Sequence, residues 1–276
     1  MQSDAHSVAV VIVSYNVRDE LQACLCALPG GSAKRTLQVT VVDNGSSDGT
    51  EEMVAAEWTG VQLIANRHNL GYARANNVGI RATTAPLVLL LNPDTVVRPG
   101  ALDILADALA DRADAAAAGP RLVDGDGRTE LSFGWPMSPL GELRQKIVGG
   151  LYARDTLPIS WAVRHWTRVP GQRHWLSGAC LMVRRADLDA VGLLDERFFM
   201  YAEDVDLGVR LAHRGRVLLF VPRAEVLHLR GRSGTHNPQL AYLRRESQLA
   251  YYAVHHPRWV PALRCYLRLA HGHVTK

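Results

Sequence analysis

Apolar residues in this chain come in short unbroken runs, and these alternate with stretches of helical period. The run at 8–13 is β-branched throughout, as in a strand buried on both faces, and it ends at Ser14-Tyr15-Asn16. A helix is predicted over 19–28 and a second buried strand over 38–42. The turn-rich Asp43-Asn44-Gly45-Ser46-Ser47-Asp48-Gly49-Thr50 then leads into a helix around 50–57, with Ser47, Asp48 or Thr50 available as N-cap. A third strand covers 61–64, and Asn69-Leu70-Gly71-Tyr72 opens a helix through 73–82. The fourth strand, 87–91, stops at Asn92-Pro93-Asp94, because proline cannot donate to a sheet ladder. A helix over 99–109 begins with proline in its first turn, where a missing N–H costs nothing. This alternation predicts an α/β fold with a mostly parallel sheet and right-handed crossovers.

After 115–118 the pattern loosens. Residues 134–172 mix tryptophan and tyrosine with prolines, glycines and basic residues at no clear period, which reads as a flexible or helical insertion beside a site. A strand is expected over 175–183, a helix over 185–191, and a helix running to 214 after the segment 198–206. Strands follow at 217–221 and up to 228. From 239 onward the chain reads as helical, broken by Pro257 and Pro261. One domain over 1–236 with a helical C-terminal appendage over 237–276 is the expected organisation.

Composition narrows the class. Hydrophobic residues at 47% and charged residues at 21% are ordinary for a globular core. Four scattered cysteines do not make a disulfide framework, and Cys24-Leu25-Cys26 lacks metal-site spacing, so reduced thiols in a cytoplasmic setting are the expectation. The N-terminus has no basic segment ahead of its apolar run, and no stretch is long enough to span a bilayer. Net charge is +4, but residues 207–276 hold 12 Lys/Arg against 2 Asp/Glu, so the remainder of the chain is net acidic. Such asymmetry reads either as a solvated basic surface or as a site for an anionic partner. No nucleic-acid-binding motif accompanies it.

Several polar clusters can carry chemistry. Asp43 and Asp94 both sit at the carboxyl ends of strands, the edge where open α/β sheets bind ligands. Asp43 reads as a turn residue or as a hydrogen-bond acceptor for a nucleotide. Asp94 reads as a helix cap or as a ligand for Mg2+ or Mn2+, ions that take one or two protein carboxylates and complete their shell with phosphate and water. Arg74 could counter a diphosphate, and Asn76 and Asn77 could bond a sugar or base. Glu203, Asp204 and Asp206 crowd behind the aromatic run Phe198-Phe199-Met200-Tyr201, so at least one should hold a raised pKa suited to a general base. The alternative is a helix N-terminus complementing its dipole. His228 ends a strand ahead of Arg230-Gly231-Arg232-Ser233, as a structural histidine or a ligand. No Gly-x-Gly-x-x-Gly or P-loop pattern is present.

In combination, Val13-Ser14-Tyr15-Asn16, the 42–50 segment, Asn69-Leu70-Gly71-Tyr72, Asn92-Pro93-Asp94, Gly178-Ala179, Glu203-Asp204-Val205-Asp206 and His228 resemble the inverting glycosyltransferase family 2, in the order found there, over about 9–235. The Asn-Pro-Asp form and the 198–207 stretch are most similar to bacterial rhamnosyltransferases. The resemblance implies a GT-A fold, a Rossmann-like α/β/α sandwich, and transfer of a sugar from a nucleoside diphosphate to an acceptor hydroxyl. L-rhamnose from dTDP-rhamnose, and a polyprenyl-diphosphate-linked or other saccharide acceptor, are the implied pair. It further implies that Ser14, Tyr15, Asn16, Asp43, Asn44, Asn69, Gly71, Arg74, Asn76, Asn92 and Asp94 serve the donor. Asp94 and His228 would hold the divalent metal. Asp204 would be the base, with Glu203 or Asp206 orienting it, and Trp175, Gly178 and Ala179 would face the acceptor. Asn92 departs from the commoner first aspartate of an Asp-x-Asp motif.

The tail interleaves Tyr251, Tyr252, Trp259, Leu263, Tyr266, Leu267 and Leu269 with arginines. That pattern suits peripheral contact with the inner face of a membrane, or packing on the domain or on a second copy in a homodimer. Two other functions remain open. A nucleotidyltransferase would normally show a glycine-rich, Arg/Lys-bearing loop where Ser14-Tyr15-Asn16 stands, and a non-catalytic carbohydrate- or lipid-binding relative would not need the retained acids.

Overall fold

The computed structural model describes residues 6–229 and 238–271. The Arg230–Ser233 segment and the expected boundary at 236/237 lie outside these residues. The first half follows the expected alternation: β1 (Ser7–Ser14), α1 (Arg18–Gly31), β2 (Thr36–Asp43), α2 (Thr50–Glu57), β3 (Gln62–Ala65), α3 (Tyr72–Arg81) and β4 (Leu87–Leu91). A short β5 (Thr95–Val97) and α4 (Ala101–Ala110) follow. The chain then forms β6 (Ala115–Val123), β7 (Phe133–Gly134), α5 (Pro139–Ala153), α6 (Leu157–Trp166), β8 (Gly171–Arg173), β9 (Trp175–Leu176) and β10 (Cys180–Arg184). It closes with α7 (Arg185–Val191), α8 (Glu203–His213), β11 (Val217–His228), α9 (Pro238–His255), a 3-10 turn (Pro257–Trp259) and α10 (Val260–His271).

The central sheet runs β3-β2-β1-β4-β10-β6-β11-β5, with β8 added against β11. Strands β3 to β4 are parallel, whereas β10 runs antiparallel to both neighbours and β6–β11 is again parallel. Two clusters of buried apolar residues sandwich the sheet. One lies between the sheet and α1, α2 and α4, the other between the sheet and α3, α7 and α8. Ile12, Leu89 and Leu91 point into the first, Val11, Val88 and Leu90 into the second. This is the two-faced burial that uninterrupted apolar runs predict.

Two expectations are corrected, and two regions for which alternatives stood open are described by the structure. The segment 175–183 is not one strand, because Ser177, Gly178 and Ala179 form a turn between β9 and β10. The region after 115 does not loosen but continues as the nine-residue β6, sealed on both sides by β10 and β11. The insertion is helical over most of 139–166, with Ser138 capping α5 by accepting from the Gly141 amide. The C-terminal helices are only half free. Tyr251, Tyr252, Leu263 and Leu267 are buried in a cluster with Phe198, Ala202 and Val205, so the domain itself covers much of the tail's apolar face.

Candidate active site

The carboxyl ends of β1, β2 and β4 bring the first polar clusters to one edge. Asp43 is buried at the tip of β2, and both carboxylate oxygens accept from Ser46, one from its amide at 2.9 Å and one from its hydroxyl at 2.5 Å. Asn16, in the left-handed region at φ 53°, accepts from the Ser47 amide and donates its own amide to Ser46 Oγ. Asn44 is a buried knot: its Nδ2 donates to Asn69 Oδ1 at 2.8 Å, and its Oδ1 accepts from Asn66 and from the Leu70 amide. Asn69 in turn accepts from the Gly71 amide. Asn44 and Asn69 therefore shape the loop that opens α3. Ser14 is buried and Tyr15 is exposed at the strand end.

That loop closes tightly on the far side of the site. Gly71 has φ 85°, and a Cβ there would lie 2.6 Å from the Phe199 carbonyl oxygen, which accepts from the Tyr72 amide. Only glycine combines this conformation with this approach. Arg74 is exposed on α3, 3.7 Å from Glu196. Asn76 is buried, with Nδ2 on the Tyr72 carbonyl. Among the described residues, Asn76 Oδ1, Ser14 Oγ and Glu203 Oε2 are buried without a hydrogen-bond partner, and orphaned atoms of this kind need an explanation such as an absent ligand.

Asp94 forms the first of two acidic poles. The Asn92 backbone is fixed at both ends, its amide on the Ala179 carbonyl at 2.9 Å and its carbonyl accepting from Thr95 Oγ at 2.7 Å. Asp94 Oδ1 stands 3.3 Å from His228 Nε2 at the end of β11, and its carbonyl accepts from the Leu229 amide. The other ring nitrogen, Nδ1, is 3.1 Å from Glu130 Oε2, a buried carboxylate from the segment between β6 and β7. Burial would lower the His228 pKa, but hydrogen bonds to Asp94 and Glu130 outweigh it, and the imidazole is pushed up to about 9.

One carboxylate and one imidazole are ligand types that suit a borderline divalent ion, and the carboxylate behind the imidazole is the usual support for a ligating histidine. Among the described residues no group of three or more His, Cys, Asp or Glu is arranged to enclose a metal. Asp94 and His228 as two ligands would fit an ion that takes the rest from a diphosphate and water.

The second pole begins α8. Tyr201 and Ala202 both adopt positive φ, 72° and 68°, a costly pair for residues with a Cβ and one that concentrates at functional sites. They aim Glu203 and Asp204 from the first turn of the helix. Asp204 Oδ2 accepts from the Gly178 amide at 3.0 Å and Oδ1 from the Val205 amide at 2.8 Å. Burial raises the Asp204 pKa, and those two amides partly offset it. Glu203, fully buried and next to Asp204, is pushed up from 4.5 to about 8, first by burial and then by its neighbour's charge. Tyr72 Oη donates to the Gly178 carbonyl at 2.9 Å, and its own pKa is raised by burial and by Glu203, Asp204 and Asp94.

Gly178-Ala179 therefore joins the two poles: residue 178 holds Asp204 and Tyr72, and residue 179 holds Asn92. Trp175 borders the same turn, its indole donating to the Trp135 carbonyl. Asp206 does not join them. It is fully buried on α8 and bonds Arg210 Nε at 2.6 Å and His255 Nε2 at 2.8 Å, so it anchors α9 rather than orienting Asp204. Glu130 and Tyr72 were not among the candidates read from sequence. Tyr72 follows a turn glycine, a signal that could have pointed to it, while Glu130 lies in a stretch with no pattern.

The α/β/α sandwich, with its polar clusters along one sheet edge, is the GT-A fold of glycosyltransferases. Solved structures with this fold superpose on the chain. One is GalNAc-T7 with UDP, GalNAc and Mn2+ (TM-score 0.64, 16% identity, 89% of this chain and 48% of that one). Another is a mannosyltransferase from Pyrobaculum calidifontis in complex with GDP-Man and Mn2+ (TM-score 0.63, 18% identity, 95% and 69%). The chain belongs to glycosyl transferase family 2, whose family model matches residues 9–192. It is 35% identical over 274 residues to an N-acetylglucosaminyl-diphospho-decaprenol L-rhamnosyltransferase of Mycobacterium tuberculosis, covering 94% of this chain and 88% of that protein.

Proposed function

We propose that this enzyme transfers L-rhamnose, with inversion, from dTDP-rhamnose to a hydroxyl of a polyprenyl-diphosphate-linked saccharide, with Mg2+ or Mn2+ as cofactor. The observation that carries the reading is the pairing of two poles through Gly178-Ala179, one bearing Asp94 and His228 and the other bearing Asp204. The rhamnosyltransferase relative, similar over nearly the whole chain, supports the sugar and the lipid-linked acceptor. The Mn2+ bound in the two solved neighbours supports the metal.

Asp94 and His228 would hold the ion, which when bound neutralises the diphosphate leaving group. Glu130 fixes the His228 ring by accepting from Nδ1, leaving Nε2 directed at Asp94. Asp204 takes the proton of the acceptor hydroxyl as its oxygen bonds to the anomeric carbon. The bond from that carbon to the diphosphate oxygen breaks with its electron pair, and nucleoside diphosphate leaves. Burial and the neighbouring carboxylate favour the protonated form of Glu203, while Asp204 has the Gly178 and Val205 amides to support its charge and is the proposed proton acceptor. Ser14, Tyr15 and Asp43 border the nucleoside end, and Trp175 with the 178–179 turn borders the acceptor.

The test is product analysis over a panel of nucleotide sugars, with and without Mn2+, using a polyprenyl-diphosphate-linked saccharide as acceptor. Metal-dependent rhamnosyl transfer with an inverted anomeric centre is the expected result. Formation of a sugar nucleotide from an NTP and a sugar phosphate would overturn it in favour of a nucleotidyltransferase.

A further inference from the structure

We propose that α5, with α6 and α10 beside it, forms a face that docks on an anionic lipid bilayer. The proposal rests on the lipid-linked acceptor proposed above and says how such a substrate reaches the site. Among the described residues, three of the large apolar side chains left exposed, Tyr15, Phe199 and Leu229, border the candidate site; all the others lie between 140 and 169 or between 259 and 269. On α5, Leu140 (80% exposed), Leu143 and Ile147 fall at i, i+3 and i+7, one stripe of a helix whose opposite face buries Val148 and Tyr152 against Val163 of α6. Helix α6 adds Leu157 and Trp161 (72% exposed).

Helix α10 repeats the device. Leu263 and Leu267 pack inward, while Tyr266 and Leu269 (83% exposed) face out. The two stripes adjoin, because Lys146 Nζ lies 5.2 Å from the Tyr266 ring centre. Apolar exposure on this scale marks an interaction surface rather than ordinary scatter.

Charge selects the occupant. Arg144, Lys146 and Arg154 flank the α5 stripe, and Arg258, Arg264 and Arg268 are exposed around the α10 stripe. The acids of α5 and of the connection to α6 are paired within the protein. Glu142 accepts from Gln248 and Tyr252, and Asp155 pairs with Arg164. An apolar stripe bordered by cations suits the interfacial zone of a membrane with anionic headgroups. No described helix is long and apolar enough to cross a bilayer, so the contact is with the surface.

The face is also tied to the site. Trp135 and Met137, at the root of α5, accept from Trp175 and His256, and Met137 packs with Trp175 beside Val205, the residue following Asp204. Docking at this face would set the acceptor side of the site at the headgroup level.

The test is flotation of the full chain with phosphatidylcholine vesicles and with vesicles containing 30% phosphatidylglycerol, alongside the double variant Leu143→Glu/Ile147→Glu. Neither position touches the candidate site, and retention of the parental Tm and of the donor-induced thermal shift checks its fold. Binding to the anionic vesicles only, weakened at least tenfold in the variant, is the expected result. Absence of binding, or equal binding by the variant, overturns the proposal. A dimer in light scattering that the variant dissociates also overturns it, since a second copy would then be the occupant. Flotation needs neither donor nor transfer: lost transfer with intact flotation would count against the function, and the reverse against this surface alone.

Discussion

Two acidic poles face each other across the site, and they are built in opposite ways. At one, Asp94 and Glu130 flank a single imidazole and push His228 up to about 9, so the two carboxylates favour a positive charge between them, either a proton on the ring or a metal ion that would replace it at Nε2. At the other, Glu203 and Asp204 stand side by side on a strained helix start with backbone amides as support, and both are pushed upward. The first pole is suited to hold a cation against a diphosphate. The second is suited to receive a proton. In the proposed function the same side-chain type would perform both tasks, because burial and neighbours, not residue identity, set the charge state.

Replacing Asp204 should break the comparison most severely. Asp204→Asn keeps the shape and the Gly178 and Val205 amides near it but removes the proton acceptor, and kcat should fall by about 10³. Steady-state transfer assays check this, and a rate within a few-fold of the parent would remove Asp204 as base. At the other pole, Glu130→Gln keeps the volume but weakens the grip on Nδ1, so Mn2+ affinity should fall by about tenfold. Electron paramagnetic resonance titration of Mn2+ reads that directly. A merely structural role for Glu130 would lower Tm and leave the metal affinity alone.

The smallest effect on activity belongs to Glu203→Gln, which mimics the protonated acid. Transfer at pH 7 should stay within about threefold. Stability should change in a pH-dependent way. A carboxyl whose pKa rises from 4.5 in the unfolded chain to about 8 in the folded one imposes a cost that is absent below 4.5, grows as pH rises, and is complete above about 8. The variant should therefore match the parental Tm at pH 4 and exceed it at pH 8. Equal melting curves at both values would mean that Glu203 is ionised in the folded protein.

The first pole was half legible in the sequence and the second almost wholly so. Asp94 follows an apolar run and a proline, local features that fix where a strand must stop, and His228 ends another apolar run. Glu130 sits 98 residues from His228 in an irregular stretch, and no local period reports a contact made by folding β6 and β11 side by side. The crowding of Glu203, Asp204 and Asp206 was visible, but their directions were not. Within one helical turn, Asp204 faces the turn at Gly178, while Asp206 meets Arg210 at i+4 and His255 on α9. The tail shows the same limit. Its amphipathic pattern identified apolar residues but not what covers them: Tyr251, Tyr252, Leu263 and Leu267 pack on the domain, and Tyr266 and Leu269 do not. The sequence left 134–172 as flexible or helical without boundaries, because glycines and prolines interrupt a pattern that in the folded protein is helical on both sides of Thr156.

The division of labour between the poles has one direct test, the affinity of Asp204→Asn for Mn2+ in the presence of a nucleoside diphosphate, by paramagnetic resonance titration. An affinity equal to the parent's, in a protein that no longer transfers sugar, is the predicted result. A tenfold loss of Mn2+ affinity in that variant would place Asp204 in the metal site and contradict the separation of the two poles.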